Sequence, residues 1–217
     1  KIKKNPSIFI ANEFFDALSI KQYIKKKNIW FEKFVNLKDK NKIFFFEKKI
    51  NIKKIEKKIN YKISHNQDFI ECSELALSYL KNISRIIKKN TGGLLLIDYG
   101  YTEKKMKNTL KAISNHKFSN VLENMGKVDI THNINFNFFR NFTNQISNLE
   151  CYLTTQKEFL IKMGIKERAE IISKNFNFIK KADIFYRLNR LIDEKQMGNL
   201  FKVMLIKNKN HKFKVGF

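Results

Sequence analysis

The run Ile8-Phe9-Ile10-Ala11 stops abruptly at Asn12-Glu13, and this break constrains the fold more than any other feature of the chain. An apolar run ending in a polar pair is how a buried strand delivers polar side chains to the carboxyl edge of a sheet, where open α/β folds bind their ligands. Phe14, Phe15 and Leu18 follow at helical spacing, with Asp16 one turn beyond Asn12, so a short helix is expected there. A second run, Leu94-Leu95-Leu96-Ile97, lies between Gly92-Gly93 and Asp98-Tyr99. That setting predicts a strand covered on both faces, as in a parallel sheet. Between the runs, Leu75, Leu77, Leu80, Ile83, Ile86 and Ile87 mark a helix over 74–89. Asn90-Thr91-Gly92-Gly93 stops it, with glycine expected to supply the left-handed cap. Strand, helix, strand is the rhythm of a βαβ fold.

The remaining elements are placed by the same patterning. Trp30–Val35 and Lys42–Phe46 read as strands of a hairpin around the polar turn Lys38-Asp39-Lys40-Asn41. The stretch 48–62 alternates Ile with Lys and fits either strand or solvated helix. Asp129 or Thr131 is the expected N-cap of a helix bearing Ile134, Phe138, Phe139 and Phe142 on one face. A short strand is expected at Tyr152-Leu153, then a helix capped by Thr155 and ending at Gly164. Amphipathic segments over 166–174 and 181–193 precede a last apolar strand over 200–206. Pro6 is the only proline, glycines number seven, and neither a linker nor a repeat divides the chain. One domain, or part of a larger one, is expected.

A hydrophobic content of 43% with 21 Phe excludes a disordered chain. The net charge of +24 ordinarily suggests a polyanion partner. Only five of the 44 basic residues are Arg, however, namely Arg85, Arg140, Arg168, Arg187 and Arg190. Nucleic-acid interfaces lean on arginine for bidentate contacts, whereas lysine supplies mainly point charge. The lysine excess accompanies an excess of Asn, Ile and Phe, the signature of A+T-rich coding, so no specific nucleic-acid partner is expected. Cys72 and Cys151 are too few for a disulfide framework and point to a reducing compartment. Together with His65, His116 and His211 they show no metal-ligand spacing, and no metal is expected. No apolar run reaches the length of a membrane span.

An ordered set of motifs carries a family resemblance. It comprises 11–18 (Ala-Asn-Glu-Phe-Phe-Asp-Ala-Leu), 30–33 (Trp-Phe-Glu-Lys), Gly92-Gly93 through Asp98-Tyr99-Gly100, and 109–112 (Thr-Leu-Lys-Ala). Asp129-Ile130-Thr131, Thr155-Gln156 with Phe159-Leu160 and Gly164-Ile165, and Met197-Gly198 with 200–203 complete it. In this order the chain resembles the MidA-like class I methyltransferases, which use S-adenosyl-L-methionine (SAM) and include a mitochondrial complex I assembly factor that methylates an arginine. The resemblance implies an α/β, Rossmann-like methyltransferase fold with helical and hairpin insertions. It also implies that the first strand is the fourth of the central sheet. The family's glycine-rich SAM loop and ribose-binding acid lie upstream of its Ala-Asn-Glu motif. Residues 1–217, beginning at Lys1 rather than Met, therefore read as the C-terminal part of one methyltransferase domain, with the SAM-loop half absent.

Methylating a guanidinium requires holding a planar cation with one nitrogen aimed at the methyl donor. Carboxylates suit this through bidentate, charge-assisted hydrogen bonds and by receiving the departing proton. The resemblance thus makes Glu13, Asp16 and Asn12 the candidate catalytic residues, Asn12 also touching the cofactor. It makes Asp98, Tyr99, Asp129, Thr131 and Gln156 the candidate substrate-binding residues. Simpler roles stand beside these. Asp16 could cap a helix, Glu13 could pair with a lysine, Tyr99 could be a packed aromatic, and Asp98 could orient loop amides. Asp129, Thr131 and Gln156 could serve only helix starts. His132 is assigned no catalytic role, because the family's His falls one place later, at Asn133, and its Asp at Asn135; an exposed, inert histidine is expected.

The resulting expectation is a SAM-dependent protein arginine methyltransferase acting on a respiratory complex I subunit, itself inactive as this segment. The alternative is a non-catalytic interaction or assembly module on the same fold. A protein partner is implied, and a homodimer is left open. The resemblance places the protein in the cytoplasm of a bacterium or the mitochondrial matrix of a eukaryote.

Overall fold

The computed structural model describes residues 5–38, 42–114, 117–123 and 126–217. Asp39–Asn41 of the expected turn, and His116, lie outside the described residues. The chain opens with β1 (Ser7–Asn12), β2 (Lys21–Lys26), β3 (Ile29–Lys38), β4 (Lys42–Ile50), α1 (Ile52–Ile59), β5 (Phe69–Cys72), α2 (Glu74–Asn90) and β6 (Gly92–Tyr101). It continues with β7 (Lys111–Ser114), β8 (Lys117–Ser119), β9 (Asp129–Thr131), β10 (Ile134–Asn135), α3 (Phe136–Asn144) and β11 (Leu149–Thr155). The last elements are α4 (Gln156–Lys162), α5 (Ile165–Ser173), α6 (Phe178–Ile192), α7 (Met197–Leu200) and β12 (Phe201–Asn208). No helix among the described residues is long and apolar enough to cross a membrane.

The central sheet runs β1-β6-β12-β11. β1 and β6 are parallel, with Asn12 opposite Ile97, whereas β12 is antiparallel to both β6 and β11. β10 pairs with β6 at Gly100 and Tyr101, beyond the point where β1 has ended. Two smaller antiparallel sheets, β4-β3-β2-β5 and β8-β7-β9, are the insertions.

α2 forms where Ser73 accepts the N–H of Ala76 at 3.0 Å, satisfying one free donor of the first turn. Its buried Leu77, Leu80, Ser84 and Ile87 recur at helical spacing and pack on β1, β6 and β12. Leu80 is fully buried, so its truncation to Ala would cost about 2–5 kcal/mol. α3 closes the same face. There Leu94, Leu96, Met204 and Ile206 are fully buried.

The opposite face corrects the expectation of a buried strand at Ile8–Ala11. α4 packs there on β11 and β12, and α7 on β11, β12 and β6. Toward β1 the face lies bare, with Ile8 80% and Ile10 71% exposed. Pro6, Leu95, Phe159, Phe213 and Val215 help to line an apolar hollow of about 400 Å³ there.

Three local expectations also change. Residues 13–18 form turns rather than a helix. The residue ending α2 is Thr91, with φ 68 and ψ −176 rather than a left-handed helical cap, while Gly92 already belongs to β6. Gly92 is needed for another reason: a Cβ there would lie 2.0 Å from the carbonyl oxygen of Ser7 in β1, at φ +102. Finally, neither Asp129 nor Thr131 caps α3. Both sit in β9, pairing with β7, and Asn135 caps the helix by accepting the N–H of Phe138 at 2.9 Å. The ambiguous stretch 48–62 resolves into the end of β4 followed by α1.

Candidate active site

β6 changes its parallel partner between Ile97 and Gly100, and Asp98 occupies the change-over. Such a fork leaves backbone N–H groups of the departing chain without ladder partners. Asp98, fully buried, supplies them. Its Oδ2 accepts the N–H of Phe15 at 3.1 Å and of Asp16 at 3.2 Å, and its Oδ1 accepts its neighbour Tyr99 N–H at 2.9 Å. Burial, with the Asp16 charge beside it, pushes the Asp98 carboxyl up to about 7, against the lowering effect of those three N–H groups. Asp98 therefore shapes the loop rather than facing a ligand, the simpler of its two expected roles.

The loop so held displays the polar edge. Glu13 donates its N–H to the Ile97 carbonyl at 3.0 Å and then turns into the left-handed region at φ 46, leaving its side chain exposed. Asn12, also exposed, reaches the Glu13 carboxylate at 3.4 Å, and no lysine pairs with Glu13 among the described residues. Asp16 is buried to 8%. Its Oδ2 accepts the Thr131 hydroxyl at 3.0 Å, whereas its Oδ1 has no partner among the described residues. The ring of Tyr99 packs on Phe201, centroids 4.0 Å apart, with Lys111 Nζ 5.5 Å from its centre. Burial raises the Tyr99 hydroxyl, helped by the charges of Glu13 and Asp16 and opposed by Arg190. Glu13, Asp16, Tyr99 and Arg190 thus share one electrostatic neighbourhood.

The other expected residues divide. Thr131 joins the site through Asp16. Asp129 is exposed on β9 opposite Ile113, and no hydrogen bond links it to the loop. Gln156 lies at the same sheet edge, since Thr155 faces Lys202 and Lys202 faces Asp98 across the strands. Its side chain is nonetheless buried, and its amide donates to the Leu191 carbonyl at 3.0 Å, tying α4 to the end of α6. His132, expected to be exposed, is 6% exposed. Its N–H approaches the Asp16 carbonyl at 3.4 Å and its Nε2 has no partner among the described residues. Burial holds the imidazole below its usual value, against the Glu71 carboxylate nearby. Sequence reading did not single out Arg190, an exposed residue whose charge acts on Tyr99. The available signal was its rarity, as one of five arginines, at the end of an amphipathic helix.

An exposed Asn12 beside a strand edge unpaired among the described residues fits one wall of a SAM site. None of the described glycines forms a glycine-rich turn after a strand.

Residues 1–155 match the family model described as "Putative S-adenosyl-L-methionine-dependent methyltransferase". The chain belongs to this methyltransferase family. It is 28% identical over 218 residues to "Protein arginine methyltransferase NDUFAF7, mitochondrial" of Danio rerio, spanning 93% of this chain and 47% of that protein. The Caenorhabditis elegans homolog is 30% identical over 165 residues, spanning 75% of this chain and 38% of its own. The chain thus spans about half the length, or less, of the curated relatives it matches.

A crystal structure of an uncharacterized protein from Burkholderia thailandensis superposes with a TM-score of 0.83 at 19% identity, covering 100% of this chain and 59% of that one. Another from that organism, described as a likely methyl transferase bound to S-adenosyl-homocysteine, gives 0.78 at 19%, covering 100% and 57%. These neighbours establish the Rossmann-like methyltransferase fold.

Proposed function

We propose that residues 1–217 form the C-terminal, substrate-facing part of a SAM-dependent protein arginine methyltransferase, acting on a respiratory complex I subunit during assembly of that complex. The observation that carries this reading is the loop 12–16, whose backbone Asp98 fixes at the ligand edge of the sheet, with the Glu13 side chain exposed and the Asp16 carboxylate buried against Thr131. Two carboxylates beside an aromatic ring suit a planar guanidinium, gripped by charge-assisted hydrogen bonds and covered by Tyr99. Glu13 orients the cation and takes the proton released on methylation, and Asp16, steadied by Thr131, holds a second edge. SAM supplies the electrophilic methyl group, and Asn12 is the residue here that would touch it. Orientation of the two reactants is most of what the protein contributes. The matched relatives are named mitochondrial; the same reading puts this protein in the matrix of a eukaryote or the cytoplasm of a bacterium.

Calorimetry tests this reading. SAM should not bind residues 1–217 alone, and should bind once the chain is extended upstream with the segment its relatives carry. The extended protein should methylate arginine peptides and lose that activity in Glu13→Gln. Tight SAM binding by residues 1–217 alone would sink the account.

A second reading, a non-catalytic interaction module, draws on the apolar surface of α5 and α6, where Ile171, Phe178, Ile179 and Tyr186 are 70–83% exposed. It predicts that the extended protein binds no SAM yet still associates with a partner through these helices.

A further inference from the structure

A second cavity, of about 600 Å³, opens away from the candidate active site, between the loop after α1, the loop after β6 and the outer face of α3. None of Asn12, Glu13, Asp16, Asp98 or Tyr99 lines it. Its size is that of a small-molecule site. Its floor is apolar, with Ile63, Met106 and Phe138 buried, and one wall is the Tyr61 ring set edge-on to Phe138 at 5.4 Å. Its rim is cationic, carrying Lys62, Lys104 and Arg140 with no carboxylate among the lining residues. Lys105 is already paired with Asp68 at 3.0 Å, outside the lining set.

Two features separate this arrangement from a chance cluster of surface lysines. The two loops are fastened to each other, because Gln67 donates to the Lys104 carbonyl at 2.8 Å and accepts the Met106 N–H at 2.8 Å. The backbone beneath the cationic rim is therefore held at Lys104 and Met106. Second, the A+T bias that multiplies lysine does not account for an arginine. Arg140 is half-buried and its guanidinium is held by the Asn137 side chain at 3.0 Å, one turn back on α3.

We infer that this cavity binds a small molecule with a planar ring and a phosphate group, the ring against Tyr61 and the phosphate at Arg140, Lys62 and Lys104. A fixed guanidinium matches phosphate oxygens bidentately, lysines add point charge, and an apolar floor with an aromatic wall accepts a ring face.

Titration calorimetry on residues 1–217 at about 150 mM salt tests this, with AMP, adenosine and inorganic phosphate as probes. AMP should bind saturably and more tightly than either fragment. Affinity should fall about tenfold in Arg140→Gln and in the double variant Lys62→Gln/Lys104→Gln. Both lysines are exposed, so the double variant folds even if the arginine change perturbs α3. Removing three positive charges from α1, in Lys53→Gln/Lys54→Gln/Lys57→Gln, should leave affinity unchanged. The inference is overturned by absence of saturable AMP binding, by inorganic phosphate binding as tightly as AMP, or by an equal loss in the α1 variant.

Discussion

Asp98 accepts the N–H groups of Phe15 and Asp16 across more than 80 positions of sequence, so a carboxylate in the core of one strand determines the shape of the loop leaving another. Asp98→Ala leaves those donors buried and unsatisfied, and should cost about 2–4 kcal/mol. Urea titration reads the loss, and amide exchange should accelerate at Phe15 and Asp16.

The same carboxyl makes stability depend on pH with an identifiable sign. Asp98 is raised from 3.8 to about 7 in the fold, so between those values the unfolded chain has released a proton that the folded chain retains. Its contribution is full below about 3.8 and declines as pH rises through about 7. Melting temperatures between pH 4 and 7 should show this decline, and Asp98→Asn, which does not titrate, should flatten it.

Glu13 trades stability for position. At φ 46 a non-glycine residue is strained, so Glu13→Gly should stabilise the fold by about 1 kcal/mol. In a version able to bind SAM, the same change should reduce arginine-peptide methylation at least about 100-fold. Paired melting and single-turnover assays check both directions; a Gly variant that is less stable would contradict the strain argument.

Thr131→Val removes the only hydrogen bond to the Asp16 carboxylate among the described residues, other than water. The expected loss is about 1–2 kcal/mol, measured by denaturation. It should largely disappear in an Asp16→Ala background, because the pair acts together.

Gly92→Ala and Gly126→Ala separate close packing from backbone strain. Both glycines have positive φ, but only Gly92 lies against another strand. The first substitution should cost about 3–5 kcal/mol by parting β1 from β6, and the second about 1 kcal/mol. Thermal melts distinguish them directly.

Elements whose burial follows a local pattern were readable from the residues. The strand at Leu94, the Leu77-Leu80-Ile87 face and the Thr155 cap lie where the patterning puts them, and so does the strand at Ile8, although Ile8 and Ile10 are exposed rather than buried. Elements fixed by distant partners were not. β2 reads Lys-Gln-Tyr-Ile-Lys-Lys, and only pairing with β3 and β5 makes it a strand. β5 is obscured by Glu71, a buried carboxylate that accepts the Gln22 side chain at 2.7 Å. Phe14, Phe15 and Leu18 imitate helical spacing because the force that bends their loop comes from Asp98. The site divides likewise: Glu13 and Asp16 are visible as a motif, whereas the Thr131 bond to Asp16 and the nearness of Arg190 to Tyr99 arise only on folding.

The bare edge of β1 gives the lysine surplus a physical consequence. A strand with an edge unpaired among the described residues and the exposed side chains of Ile8 and Ile10 is a template on which another copy can extend the sheet. Mutual repulsion at +24 opposes that contact while ionic strength is low. Raising the salt toward 1 M shortens the reach of that repulsion to about 3 Å and leaves the edge unguarded. The dispersed state of this chain should therefore be limited by screening, with turbidity appearing on salt addition before any change in fold.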